Sequence, residues 1–145
     1  VSQMAQLLST DHADDFGAPD ATGMLPHSRA LFVSDFMGDL SATEAAMAKA
    51  ADHDVRGALV QVLDPAEEAF PYDGRTIFES MSGTLTHETL KARDLRDRYL
   101  DRLAERKDRL ASLARQAGWQ FHTHHTDQPA SAALLWTYTA LERRA

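Results

Sequence analysis

The sequence predicts an α/β fold: a parallel sheet of about three strands flanked by helices. Two observations carry this. Three apolar runs of strand length each finish on a polar or acidic residue: Leu31-Phe32-Val33-Ser34-Asp35, then Val55 to Leu63 ending at Asp64-Pro65, then Trp119-Gln120-Phe121-His122-Thr123 followed by His124. Helical patterns separate the runs, and strands alternating with helices imply βαβ units. In a parallel sheet all strands point one way, so Asp35, Asp64 and His124 are expected along one edge. Open α/β sheets bind their ligands at that edge, beyond the carboxyl ends of the strands.

A length of 145 residues fits one domain, and a hydrophobic fraction of 43% is enough to bury a core. The formal charge of −7 disfavours nucleic acid as a partner, because phosphate binding needs a basic footprint. Charge is uneven: residues 91–116 hold nine Lys/Arg and five Asp/Glu, and everything else is strongly acidic. With no cysteine, disulfides, thiolate nucleophiles and Cys-based zinc sites are excluded, and a reducing, cytoplasmic location is expected. No apolar stretch approaches the ~18 residues of a membrane span, and no signal-peptide pattern opens the chain. Val1 is not a natural start residue, so a processed, trimmed or incomplete N-terminus is expected.

Along the chain, Gln3 to Leu8 read as the end of a helix. Ser9 to Arg29, with Gly17, Pro19, Gly23, Pro26 and four aspartates, read as a long mobile acidic loop. Residues 1–29 are thus set apart from a domain over 30–145. After the first strand, Met37-Gly38 is a turn. Ser41-Ala42-Thr43-Glu44 has the form of a capping box opening an alanine-rich helix to about Ala51. The second strand is apolar almost throughout, as expected of a parallel strand covered on both faces; Pro65 ends it. Thr76–Glu79 and Thr84–His87, flanking Ser82-Gly83, predict an inserted antiparallel β-hairpin.

A long helix is predicted from about Leu90 to Ala117, with Leu95, Tyr99, Leu103, Leu110, Leu113 and Ala117 on one face. Gly118 suits its C-terminal turn. Asp94/Arg98 and Glu105/Arg109 have the spacing of weak surface ion pairs, about 0.2–0.5 kcal/mol each. After the third strand, Asp127 is placed to cap a last helix with Pro129 in its first turn and Leu134, Leu135, Tyr138 and Leu141 as its apolar face.

The string Phe32-Val33-Ser34-Asp35-Phe36, then Val62-Leu63-Asp64-Pro65-Ala66-Glu67, then Arg98-Tyr99 and Ala117-Gly118 before a strand, resembles the C-terminal half of the bacterial "domain of unknown function 58" proteins. The resemblance covers about residues 30–140 and implies a von Willebrand factor A-like, doubly wound fold carrying a metal-ion-dependent adhesion site. In that family an Asp-x-Ser-x-Ser motif on the first strand begins the site and an acid after the fourth completes it. Ser34-Asp35 matches the latter position. No Asp-x-Ser-x-Ser occurs in this sequence, so the chain looks like the second half of such a domain. Magnesium then belongs to an intact parent domain, with Asp35 as one incomplete contribution here and no cofactor held by this chain alone. The resemblance also implies a non-enzymatic adaptor role, with a MoxR-type AAA ATPase as partner.

Each candidate residue has a structural and a functional reading. Asp35 is either a loop acid or a hard oxygen ligand. Asp64 and Glu67 are either an acid pair with split pKa values or a turn in which Asp64 bonds the backbone ahead of it. His122 and His124 share a strand face and suit zinc as two of the four ligands of a closed site, whereas His122, His124 and His125 also read as solvated strand-end histidines. No nucleophile elbow or phosphate-binding glycine loop is present. The mixed-charge long helix is either solvated or a docking face for an acidic partner.

The expected function is therefore protein interaction around Ser34, Asp35, Asp64 and Glu67. The alternative is a metal-dependent hydrolase-like enzyme using Asp64, Glu67 and the His122/His124 pair. A third reading is a fragment without activity of its own. Because the strand that would pair with Leu31–Phe36 in a complete A-like domain is missing from the sequence, the first strand is expected at an open edge, inviting homo-oligomerisation or the binding of the absent segment.

Overall fold

The computed structural model describes residue 19 and residues 24–71, 76–79, 86–89 and 92–142. The expected helix end at Gln3–Leu8, most of the acidic loop before Met24, and the Ser82-Gly83 turn lie outside these. In chain order the elements are β1 (Arg29–Ser34), α1 (Ser41–Asp52), β2 (Arg56–Leu63), α2 (Pro65–Ala69), β3 (Thr76–Glu79), β4 (Thr86–Thr89), α3 (Ala92–Gln116), β5 (Gln120–His125) and α4 (Ala130–Glu142).

The fold is α/β, as predicted. β1, β2 and β5 form one parallel sheet in the order β1-β2-β5. Register runs from Arg29↔Arg56 to Ser34↔Gln61 on one side of β2, and from Ala58↔Gln120 to Leu63↔His125 on the other. Thr126 N–H adds one more rung to the Leu63 carbonyl. β3 and β4 form the antiparallel hairpin, paired Thr76↔Thr89 to Glu79↔Thr86. Its second strand begins two residues later than the sequence predicts. Thr84–His87 and Thr86–Thr89 have equally weak alternation, so pairing rather than propensity sets the register.

The two faces of the sheet are covered unequally. On one, Phe32, Leu59 and Phe121 lie across the three strands and meet α1 and α3. Met47, Ala50, Val55, Leu59, Leu110, Leu113, Ala114 and Trp119 form the buried core there. The predicted stripe of the long helix is this contact, and Gly118 closes the helix at φ 69°, a conformation that suits a residue without Cβ. Trp119 anchors the layer. Its indole N–H donates to the Val55 carbonyl at 2.9 Å, and its ring meets Phe32 edge-on at 5.1 Å. The other face carries Leu31, Val33, Ala58, Val60, His122 and His124, with α4 lying over it.

Four local expectations are overturned. Glu44 does not close a capping box. Helix α1 is preceded by Leu40 with no side-chain cap, and the Asp39 carboxylate accepts from both Ser41 N–H and the Ser41 hydroxyl. An ionised carboxylate is the stronger acceptor, which leaves Glu44 to pair with Arg109 of α3 at 2.7 Å. Arg109 therefore ties two helices together instead of pairing with Glu105. The last helix starts at Ala130, after Pro129, whose carbonyl accepts from Ala132 N–H, so Asp127 stands short of the cap position. Its supposed apolar face is reversed: Leu134, Leu135 and Tyr138 are 71%, 68% and 65% exposed, while Thr137 is buried and Trp136 turns inward.

Gly57 exists for Trp119. A Cβ at position 57 would stand 2.5 Å from three atoms of the indole ring, which its hydrogen bond holds in place. Gly57→Ala is expected to lower stability by about 1–3 kcal/mol in urea unfolding, the scale of overpacking a well-packed core. Unchanged stability would mean the indole is free to move aside.

Candidate functional site

The rim beyond the carboxyl ends of the strands is built by the chain breaking at each strand end. After β1, Phe36 adopts φ 55°, a conformation unusual for a bulky side chain. Two local bonds hold this turn: Phe36 N–H donates to the Ser34 hydroxyl at 3.1 Å, and Met37 N–H to Asp35 Oδ1 at 2.9 Å. Phe36 is buried in the core while Asp35 stays outside. After β2, Asp64 caps α2. Its Oδ1 accepts from Ala66 N–H at 2.8 Å, and Glu67 Oε2 accepts from Asp64 N–H at 2.7 Å, with Pro65 in the first turn. This is the capping box of the chain, at Asp64/Glu67 rather than at Ser41/Glu44. The other Asp64 oxygen accepts from the Thr126 hydroxyl at 3.1 Å, joining the ends of β2 and β5.

Asp35 and Asp64 thus share one rim with Glu67 beside them, whereas His124, expected there too, lies inside β5 opposite Val62. Glu67 reports their closeness. Partial burial pushes its carboxyl above the ordinary 4.5, the Asp64 N–H bond opposes that, and the negative charges of Asp35 and Asp64 raise it further. Beneath the rim lies Gln61, fully buried at mid-sheet. Its amide donates to the Asp35 carbonyl at 3.0 Å, and its oxygen accepts from Thr123 Oγ1 at 3.5 Å. A polar residue inside an apolar run was the available signal for Gln61, and sequence reading passed over it.

The histidines disperse. β5 extends through His125, so all three lie within the strand and not beyond it. His122 stacks on Trp136 of α4, ring centroids 4.7 Å apart. His124, on the same face, is buried, with its Nδ1 lacking a hydrogen-bond partner. His125 points to the other face and meets Glu68 of α2 at 2.8 Å, and Lys107 of α3 closes on the second Glu68 oxygen. Burial pulls the Lys107 ammonium below its usual range. This His125–Glu68–Lys107 chain, which links β5, α2 and α3, was not foreseen.

Neither metal reading finds a ligand set. Among the described residues no group of three or more His, Asp or Glu is disposed to hold an ion. Asp35, Asp64 and Glu67 each give one oxygen to a backbone N–H, and their second oxygens do not converge as a ligand set among the described residues. His122 and His124 are not joined by Asp64 or Glu67. The acids that the rim brings together lie side by side along the ends of β1 and β2.

No family model matches this sequence, and no curated protein does. Among solved structures, a crystal structure of an uncharacterized membrane spanning protein from Vibrio fischeri is similar over 81% of this chain and 48% of that one, with 22% identity and a TM-score of 0.35. This chain spans about half the length of that protein. Among the described residues no helix is long and apolar enough to cross a membrane.

The His122 stack makes stability pH-dependent. Partial burial, then the neighbouring His124 and His125, lower its pKa from the ordinary 6.5. The unfolded chain therefore binds the proton more readily, and stability must fall as pH drops through 6.5 toward the folded value. His122→Phe keeps a ring on Trp136 without a proton to gain. Its melting temperature should fall less than that of the wild type between about pH 7.5 and pH 5.5. Identical pH slopes would show that His122 is equally protonated in both states.

Proposed function

We propose that this chain is a non-enzymatic protein-interaction module of von Willebrand A-like type, docking a partner on the rim formed by Ser34, Asp35, Asp64 and Glu67. The observation that carries this is the placement of Asp35 and Asp64 at the ends of adjacent co-directional strands with Glu67 in the helix that follows, close enough that their charges add to the burial that raises the Glu67 pKa. Their inner oxygens are held by backbone N–H groups, so the outward charge is fixed in position without a ligand. Preset charge on a rigid scaffold gives a partner orientation and a fast approach at little ordering cost. The parallel sheet with helices on both faces supports the A-like reading, and the motif resemblance supplies the finer family. From that resemblance the partner is a MoxR-type ATPase, met through a basic surface, in the cytoplasm.

Asp64→Asn with Glu67→Gln removes both charges and retains acceptors for the capping bonds. Isothermal titration of the chain into a purified MoxR-type ATPase from the same organism should show binding that weakens with salt and drops about tenfold or more in this double variant. Absent binding by the wild type, or equal binding by the variant, would contradict the proposal.

A further inference from the structure

β1 lies at the end of the sheet order, paired only with β2 among the described residues. Ser28's carbonyl accepts from Arg56 N–H, which sets the alternation of the strand: even-numbered backbone groups turn to β2, and those of Leu31 and Val33 turn to the open edge. The side chains of Leu31 and Val33 are 41% and 57% exposed on the face that carries α4. That face continues apolar. Trp136 leaves α4 toward His122 on β5, whereas Leu134 and Tyr138 stand about half a helical turn away from it and are exposed. The Arg29 guanidinium ties β1 to the end of this helix, donating to the Leu141 carbonyl at 2.6 Å. An exposed edge with an apolar face is a template for another strand.

The sequence of β1 says which strand. From Arg29 through β1 to Asp35, the residue that follows it, the run is basic, small, aliphatic, aromatic, aliphatic, small, acidic, and reversed it complements itself about Phe32. An antiparallel neighbour must place edge-facing residues opposite edge-facing residues, so registers differ in steps of two. Setting Leu31 opposite its own copy puts Arg29 against Val33. Setting Val33 opposite its copy puts Leu31 against Asp35. The register between them sets Leu31 against Val33 twice and Arg29 against Asp35 twice.

We infer that two copies of this chain pair antiparallel through β1, about a two-fold axis at Phe32, with Leu31 opposite Val33 and Arg29 opposite Asp35 of the second copy. The contact is isologous and closes on itself. It joins the two sheets into one of six strands, β5-β2-β1 meeting β1-β2-β5. Leu31 and Val33 of both copies then form one apolar row between the two α4 helices, bordered by Leu134 and Tyr138. Leu31 and Val33 exchange backbone hydrogen bonds across the axis, and the charged residues close both ends. The inference goes beyond the rim reading and holds whether or not the rim binds an ATPase.

The test is the mass of the 145-residue chain by sedimentation equilibrium across a concentration series. The wild type should give twice 16.1 kDa. R29D and D35R each place like charges opposite at both ends and should weaken the dimer about five- to tenfold. R29D/D35R restores opposite charges and should return to within about threefold of the wild type. The Arg29 bond to Leu141 is lost in R29D and in the double variant alike, so recovery reports the pairing alone. V33K, at an exposed position, should be monomeric, with circular dichroism matching the wild type. A wild-type monomer throughout would overturn the inference, including one whose Leu31 and Val33 amides resist hydrogen exchange because the chain covers its own edge. A dimer indifferent to R29D and D35R, or one that R29D/D35R fails to restore, would also overturn it.

Discussion

One buried amide holds together the rim at the ends of the strands. Gln61 sits in the middle strand with no exposed surface, and its side chain reaches both neighbours, to the Asp35 carbonyl where β1 stops and to Thr123 within β5. A polar group in that position is tolerated only with its partners in place, because an unpaired buried donor or acceptor costs about 1–3 kcal/mol. The Asp35 carbonyl has turned inward to meet Gln61, and the next residue, Phe36, takes a left-handed conformation and drops into the core. The Asp35 side chain is thereby left at the rim. Without this tie the end of β1 has only the Ser34 and Asp35 turn bonds to direct it.

Around this point the rim is braced from below. Asp64 joins α2 to the end of β5 through Thr126, and Glu68 joins the same short helix to His125 and Lys107. Helix α2 has only five residues and no buried side chain, so these polar bonds, its cap and the buried Phe70 at its end, packed on Tyr99, position it. Acids held this way present charge outward and structure inward. The lateral edge of the sheet is the reverse: among the described residues β1 has one strand neighbour, and its α4-side face carries aliphatic side chains that α4 leaves exposed.

The strand directions and the rim were legible in the sequence because burial on both faces writes a continuous apolar run, and proline or a polar turn marks its end. The long helix was legible for the same reason: its stripe is buried against a single surface. What stayed hidden depends on choices between near-equal partners. Ser41 has the form of a cap, but its N–H and hydroxyl both go to the Asp39 carboxylate; Glu44 has an i,i+3 role available and takes Arg109 instead. Helix α4 is apolar on more than one side, so no period reveals which side faces the sheet. The histidines of β5 alternate in the sequence as metal ligands do, yet their partners come from Trp136 and Glu68, elements remote in the chain. Gln61 interrupts an apolar run by one residue, which is too small a signal to mark a tie between three strands.

The dependence of the rim on Gln61 is open to one direct measurement, the urea unfolding free energy of Gln61→Met. Methionine fills a similar volume but offers no donor to the part-buried Asp35 carbonyl and no amide oxygen to Thr123, so both lose their partner. The expected loss is about 1–3 kcal/mol, with an unchanged denaturant slope. Stability equal to that of the wild type would show that the strand ends are held without the amide, and the proposed organisation of the rim would fail with it.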